Sequence, residues 1–321
     1  MSLTIIIPHF NTSDLLQTLL ASIPQDKGIQ TIVIDDQSEL SHLKVIENLK
    51  SKYNFELYYN DLIKSSGACR NIGIKKAKGK WLLFADSDDY FVDGFYNKVS
   101  RYFDSKIDIV FFSPTSKYLD TSKIADTHFS FQKIIKDYLQ VKNRKNEFFL
   151  RYNFISSWSK LIKKEFLDTH KIKFYESLMG DDVMLSTKIG YFMKSFDTSD
   201  DVIYCKTVRH GSITKILNEH QFDIRLHTRI SRIKFLKAHL LQKEINTIMK
   251  PFIYNKAAEL LLLSLRRFGF KKFVQVLGLY RKQKIKWFRF TYLNPFKVIK
   301  YIFIALKNHI KKNKYNIKVE K

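Results

Sequence analysis

The chain has 321 residues, 45% of them apolar, with only ten glycines and five prolines, which excludes a disordered, collagen-like or low-complexity polypeptide. Its 56 Lys and Arg against 31 Asp and Glu give a net charge of +25, and two cysteines, Cys69 and Cys205, are too few for a disulfide framework or a cysteine-only zinc site. No basic region precedes the short apolar run at the N-terminus and no stretch reaches the ~18 uninterrupted apolar residues of a membrane span, so a cytoplasmic globular protein is expected.

Short apolar runs then alternate with helix-like stretches. Residues 3–7 read as a strand, followed by the turn Asn11-Thr12-Ser13 and a helix over 14–22; residues 30–34 read as a second strand, with a helix over 40–52. A strand at 55–59, a helix around 68–78, a strand at 81–85, a helix over 93–103 and a strand at 108–113 continue the pattern. Strand and helix repeated in this order predict an α/β fold with a mostly parallel, Rossmann-like sheet. Ligands of such open sheets bind beyond the carboxyl ends of the strands.

Those ends carry the unusual residues. The first strand stops at Pro8-His9-Phe10-Asn11, the second at Asp35-Asp36-Gln37-Ser38, and the strand at 81–85 runs into Asp86-Ser87-Asp88-Asp89. Acids this close repel one another unless a cation or hydrogen-bond donors compensate them. Asp86 and Asp88, one residue apart, can project the same way from an extended segment, and their hard oxygens suit Mn²⁺ or Mg²⁺ shared with a substrate phosphate. The plainer alternative is that these acids begin a loop and cap the next helix. Upstream, Gly67-Ala68-Cys69-Arg70-Asn71-Ile72-Gly73 offers an Arg at a helix beginning, able to meet a diphosphate or simply to lie on an amphipathic helix.

Taken together, I-I-I-P-x-F-N, V-I-D-D-x-S, A-C-R-N-x-G and F-A-D-S-D-D, followed by W-S-K-L and G-D-D-V-M-L, resemble the inverting, nucleotide-sugar-dependent glycosyltransferases of family 2, which have the GT-A fold. The resemblance covers residues 3–215. It implies a nucleoside pocket at Pro8, Phe10, Asn11 and Asp35, with Phe10 where a Tyr is frequent. It also implies a diphosphate contact at Arg70, ribose and metal contacts at Asp86 and Asp88, with Asp88 the more direct metal ligand, and a UDP-sugar as donor.

The segment 156–185 reads SSWSKLIKKEFLDTHKIKFYESLMGDDVML. The resemblance places W-S-K-L near the acceptor and makes the second acid of Asp181-Asp182 the catalytic base, with Asp181 beside the substrate. An inverting transfer needs a carboxylate near the attacking hydroxyl, on the face opposite the departing nucleotide. The pair could equally cap a helix over 183–192, and Trp158 could stack on a sugar or sit in the core. His210, in K-T-V-R-H-G-S-I-T, is the implied third metal ligand.

Residues 216–321 hold 25 Lys and Arg against five Asp and Glu, whereas residues 1–215 hold 31 against 26. A catalytic domain over 1–215 and a basic, mainly helical region over 216–321 are therefore expected. Phe222, Leu226, Ile230, Ile233, Leu236 and Leu240 recur at helical spacing, a second such stretch spans 252–268, and a last helix opens with Asn294 as N-cap and Pro295 and runs to about residue 312. Basic residues beside aromatic and aliphatic ones suit an anionic membrane surface; a helical bundle with a solvated Lys face is the alternative. The implied acceptor is an oligosaccharide or lipid-linked glycan of capsule or lipopolysaccharide type, met at the inner face of the cell membrane. A nucleic-acid-binding protein is the rival class suggested by charge, but 26 acids in the first part and the absence of zinc-finger spacing argue against nucleic acid as partner. A non-catalytic scaffold partnering another transferase is a second rival. Donor sugar and oligomeric state are not legible.

Overall fold

The computed structural model describes residues 1–25, 27–177, 179–209, 218–246 and 250–287, with no side-chain description for 250–254. The chain divides into two compact units, Met1–His239 and Leu240–Lys321.

In the first unit the elements run β1 (Leu3–His9), α1 (Ser13–Ala21), β2 (Gln30–Asp35), α2 (Leu40–Leu49), β3 (Glu56–Tyr59), α3 (Ser66–Lys76), β4 (Trp81–Phe84), β5 (Tyr90–Phe91) and α4 (Phe95–Ser100). They continue with β6 (Ile109–Tyr118), α5 (Phe129–Gln140), α6 (Arg144–Asn153), β7 (Lys160–Lys163), α7 (Lys164–Thr169), α8 (Asp181–Phe192), β8 (Phe196–Val208) and α9 (Glu219–His239). One sheet has the order β3-β2-β1-β4-β7-β6-β8-β5. Pairings among β1 to β4 are parallel, as is β6 with β8, while β7 and β5 pair antiparallel with their neighbours. This is the GT-A architecture.

β1, β2 and β4 are buried along their whole length because both sheet faces are covered there. Alternate residues serve opposite cores: Ile5, Ile7, Val33 and Leu83 pack with Leu16, Leu19 and Ile46, whereas Ile6, Ile32 and Phe84 pack with Ile74, Leu185 and Ile189. The expected strand at 108–113 runs on to Tyr118, past Pro114, and the ladder with β8 absorbs the missing N–H through register shifts around Ser113. β7 and β8 escape the sequence pattern because W-S-K-L-I-K-K and F-D-T-S-D-D-V mix charge into short runs.

The sequence boundary near 215 falls ahead of α9, but this helix packs on α8 and belongs to the first unit. Arg232 anchors it: the guanidinium is buried and donates to the Tyr152 carbonyl and, at 3.3 Å, to Asn153 Oδ1. At least this member of the basic region is a structural cation. The second unit holds α10 (Gln242–Glu244) and α11 (Lys250–Lys282), the latter interrupted at Gly269, whose φ of 83° and ψ of −178° are not helical. The apolar stretch expected over 252–268 is its first arm. The last expected helix, from Asn294, lies outside the described residues.

Candidate active site

β1 lies between β2 and β4, so the connections leave toward opposite sides and open a crevice at the carboxyl ends of these strands. A cavity of about 440 Å³ occupies it. Pro8, His9 and Phe10 from the end of β1, Asp36 from just beyond β2, and residues 86–89 beyond β4 form one side. Trp158 ahead of β7, Asp181 and Asp182 at the start of α8, and Lys206 and Arg209 at the end of β8 form the other.

The acids beyond β4 have separate tasks. Asp89 is buried, accepts from the Tyr204 hydroxyl at 2.7 Å and from Thr207 N at 2.7 Å, and so ties the strand exit to β8. Burial, followed by the charges of Asp86 and Asp88, holds its pKa well above the usual carboxylate range. Asp88 reaches the cavity and pairs with Arg209 at 3.2 Å. Its pKa is raised, first by burial and then by Asp86, with Arg209 opposing.

Arg70 has partners that sequence did not announce. Ser65 caps α3 by accepting from Ala68 N at 3.1 Å, and the helix carries the buried Arg70 between two carboxylates: Nη2 donates to Asp86 Oδ1 at 2.5 Å and Nη1 to Asp181 Oδ2. The guanidinium expected at a diphosphate lines the cavity and also joins the exit of β4 to the start of α8. Gly67 makes this possible, since any Cβ there would collide with the Tyr175 carbonyl beside Asp181.

Gly180, at φ 70°, adopts a left-handed conformation at the N-cap of α8. Asp181 and Asp182 therefore occupy the first turn rather than the cap. Burial, then the charge of Asp181, raises the Asp182 pKa to about 7 against the opposing pull of Arg70 and Lys160. A carboxylate in this range is a competent base near neutrality.

Lys160 is the residue that the sequence reading passed over within W-S-K-L. Its ammonium is fully buried in β7, donating to the Phe154 carbonyl at 2.6 Å and to Ser186 Oγ at 2.8 Å, one turn along α8 from Asp182. Burial lowers its pKa to about 7, with the Asp182 charge opposing. A base must be ionised to act, so transfer is expected to rise with pH through about 7. Lys160→Met removes a cation that favours ionised Asp182, and its kcat/KM profile should show the acid limb displaced to higher pH. An unmoved limb would separate Lys160 from the base.

Other sequence candidates divide. Pro8 and Phe10 line the cavity, the latter with Lys64 Nζ 3.6 Å from its ring centroid. Asp35 and Asn11 do not line it. Asp35 is buried and accepts from His9 Nδ1 at 3.0 Å and Ser38 N at 2.9 Å, holding its pKa below the usual range despite burial. Asn11 accepts from Glu39 N at 2.9 Å and staples two loops together. Asp36, the next residue, faces the cavity instead. Trp158 stacks on Tyr204 at 5.6 Å and 11° within the core, and it also forms part of the cavity wall.

Two hard carboxylates at one strand exit, one of them raised by burial and then by the other's charge, form a donor set that fits a divalent ion shared with a diphosphate. Among the described residues no group of three His, Cys, Asp or Glu completes a protein-only site. His210 lies outside the described residues. Its neighbour Arg209 lines the cavity, and its Nε is buried without a hydrogen-bond partner among the described residues.

Residues 4–170 match the model of glycosyl transferase family 2. This chain belongs to that family. The putative glycosyltransferase EpsH of Bacillus subtilis is 22% identical over 264 residues, 78% of this chain and 74% of that protein. The poly(ribitol-phosphate) beta-glucosyltransferase of Bacillus spizizenii is 36% identical over 96 residues, 28% of this chain but only 15% of that protein. Among solved structures, Staphylococcus aureus TarS 1–349 in complex with UDP-GlcNAc superposes with a TM-score of 0.56 at 18% identity, covering 90% of this chain and 93% of that one. The family 2 fold and the strand-end cavity of this chain thus coincide with the order of its motifs.

Proposed function

We propose that this glycosyltransferase moves a hexose or N-acetylhexosamine from a UDP-sugar to a hydroxyl of a surface-glycan acceptor, with inversion and with Asp182 as general base. The observation that carries the reading is the meeting of Asp88, Arg209 and Asp182 on the walls of one cavity at the strand ends. Pro8, Phe10 and Asp36 would hold the nucleoside, with Asp35 acting behind them through His9. Arg209 and Lys206 would face the diphosphate and offset the charge that grows on it as the glycosidic bond breaks. A divalent ion bound by Asp88 and Asp86 would supply further positive charge to that leaving group. Asp182 would take the proton from the acceptor oxygen as it attacks, leaving a neutral acid in surroundings that favour one. Trp158 offers a flat apolar wall for a sugar ring.

The acceptor is proposed as an oligosaccharide or lipid-linked glycan of capsule or lipopolysaccharide type, and the protein as peripheral at the inner face of the cell membrane. No helix among the described residues is long and apolar enough to cross a bilayer. The net charge of residues 216–321 supports attachment to an anionic surface. A screen of UDP-sugars for UDP release in the presence of Mn²⁺ tests the reaction. Release from one UDP-hexose or UDP-N-acetylhexosamine well above the others is expected; no release from any of them, with acceptor glycans supplied, would refute it.

A further inference from the structure

α11 is a hairpin. The Tyr280 hydroxyl donates to the Ala257 carbonyl at 3.2 Å, although 23 residues of straight helix would hold these positions about 35 Å apart. The chain therefore turns back at Gly269, and Ala257, Leu261 and Ser264 of the first arm, with Val276 and Tyr280 of the second, are buried.

The turn and its flanks expose what a soluble hairpin would hide. Phe270 is 72% exposed, Leu262 56%, Val274 49% and Leu265 38%. Leu262, Leu265 and Arg266 share a face of the first arm at spacings of three and four, and Phe270 and Val274 share one of the second. Arg266, Arg267 and Lys271, all exposed, surround Phe270 in sequence. The last acid before this turn, Glu259, is paired with Lys256 at 2.6 Å, and from there to Glu320 the sequence contains sixteen Lys and Arg and no Asp or Glu.

We propose that the tip of this hairpin docks on an anionic phospholipid bilayer, Phe270, Leu262, Leu265 and Val274 entering the headgroup boundary while Arg266, Arg267 and Lys271 meet lipid phosphates. The inference deepens the peripheral location proposed above and rests on it, naming the surface that makes the contact. The combination decides the partner. A nucleic acid would use the cations and leave four apolar side chains in water, whereas a bilayer interface takes cations and apolar groups at once.

The test is flotation of the full chain with phosphatidylcholine vesicles, with and without phosphatidylglycerol. Wild-type protein should float only with the anionic vesicles. Phe270→Ser with Val274→Ser should weaken binding about tenfold, and Arg266→Gln with Arg267→Gln about 30-fold, with Tm unchanged because all four side chains are exposed. If wild type binds and both double variants bind equally well, the hairpin inference fails while the peripheral location stands. If wild type floats with neither vesicle, the location itself fails. If the arginine pair alone matters, and it weakens binding to a DNA duplex to the same extent, the face is a phosphate-backbone site and the proposal is overturned.

Discussion

Asp182→Asn is expected to lower transfer by about 10³-fold while leaving UDP-sugar affinity within about twofold of wild type. The amide keeps the shape of the carboxyl and cannot accept the acceptor's proton. Donor binding should survive because Asp88, Arg209 and the nucleoside wall are untouched. Stability gives an independent control. Burial and the charge of Asp181 hold the folded pKa of Asp182 at about 7, above the ordinary aspartate value of 3.8. Such a group binds more protons folded than unfolded between those values, so ionised Asp182 costs stability progressively as pH rises across the window, and fully above it. Thermal unfolding above pH 7 should therefore show Asp182→Asn at least as stable as wild type. Single-turnover transfer at near-wild-type rate would remove Asp182 from the mechanism; lost donor binding would make it a binding residue.

Arg70→Met is expected to be the most destabilising substitution in the site. It leaves Asp86 and Asp181 without the buried cation that joins them. Breaking a buried ion pair from one side costs about 3 kcal/mol, at the low end of the usual range here because Asp86 keeps some access to water. For a unit of this size that corresponds to a Tm about 6 °C lower. Transfer should fall as well, because the link between the D-x-D exit and the helix carrying the base is gone. Arg70→Lys retains the charge but cannot span both carboxylates in a fork, so it should recover part of the stability and less of the activity. Calorimetry and initial rates check both. An unaltered Tm with a loss confined to donor KM would return Arg70 to the diphosphate contact implied by sequence.

What was legible from sequence, and what was not, follows from the range of the interactions. The strand ends were readable because apolar runs stop abruptly at Pro8, Asp35 and Asp86, and the topology of a parallel sheet brings such ends together. Which acid at the end of β2 faces the cavity was not readable. Successive side chains on extended backbone point to opposite sides, so an offset of one residue separates Asp36, on the cavity wall, from Asp35, held by His9. The carboxylate partners of Arg70 were hidden for a different reason: Asp181 lies 111 residues away in sequence, and no local pattern announces that pairing. Lys160 could have been suspected, since a lysine within S-K-L-I either reaches solvent or is buried for a purpose. Its burial depends on α8, which arrives from later in the chain.

On the reading proposed above, these acids surround one divalent ion and one nucleoside diphosphate. Calorimetric titration of UDP into wild type and Asp88→Ala, with and without Mn²⁺, decides this. Metal-dependent binding by wild type that disappears in Asp88→Ala is predicted; UDP affinity equal in both proteins and indifferent to the metal would contradict it.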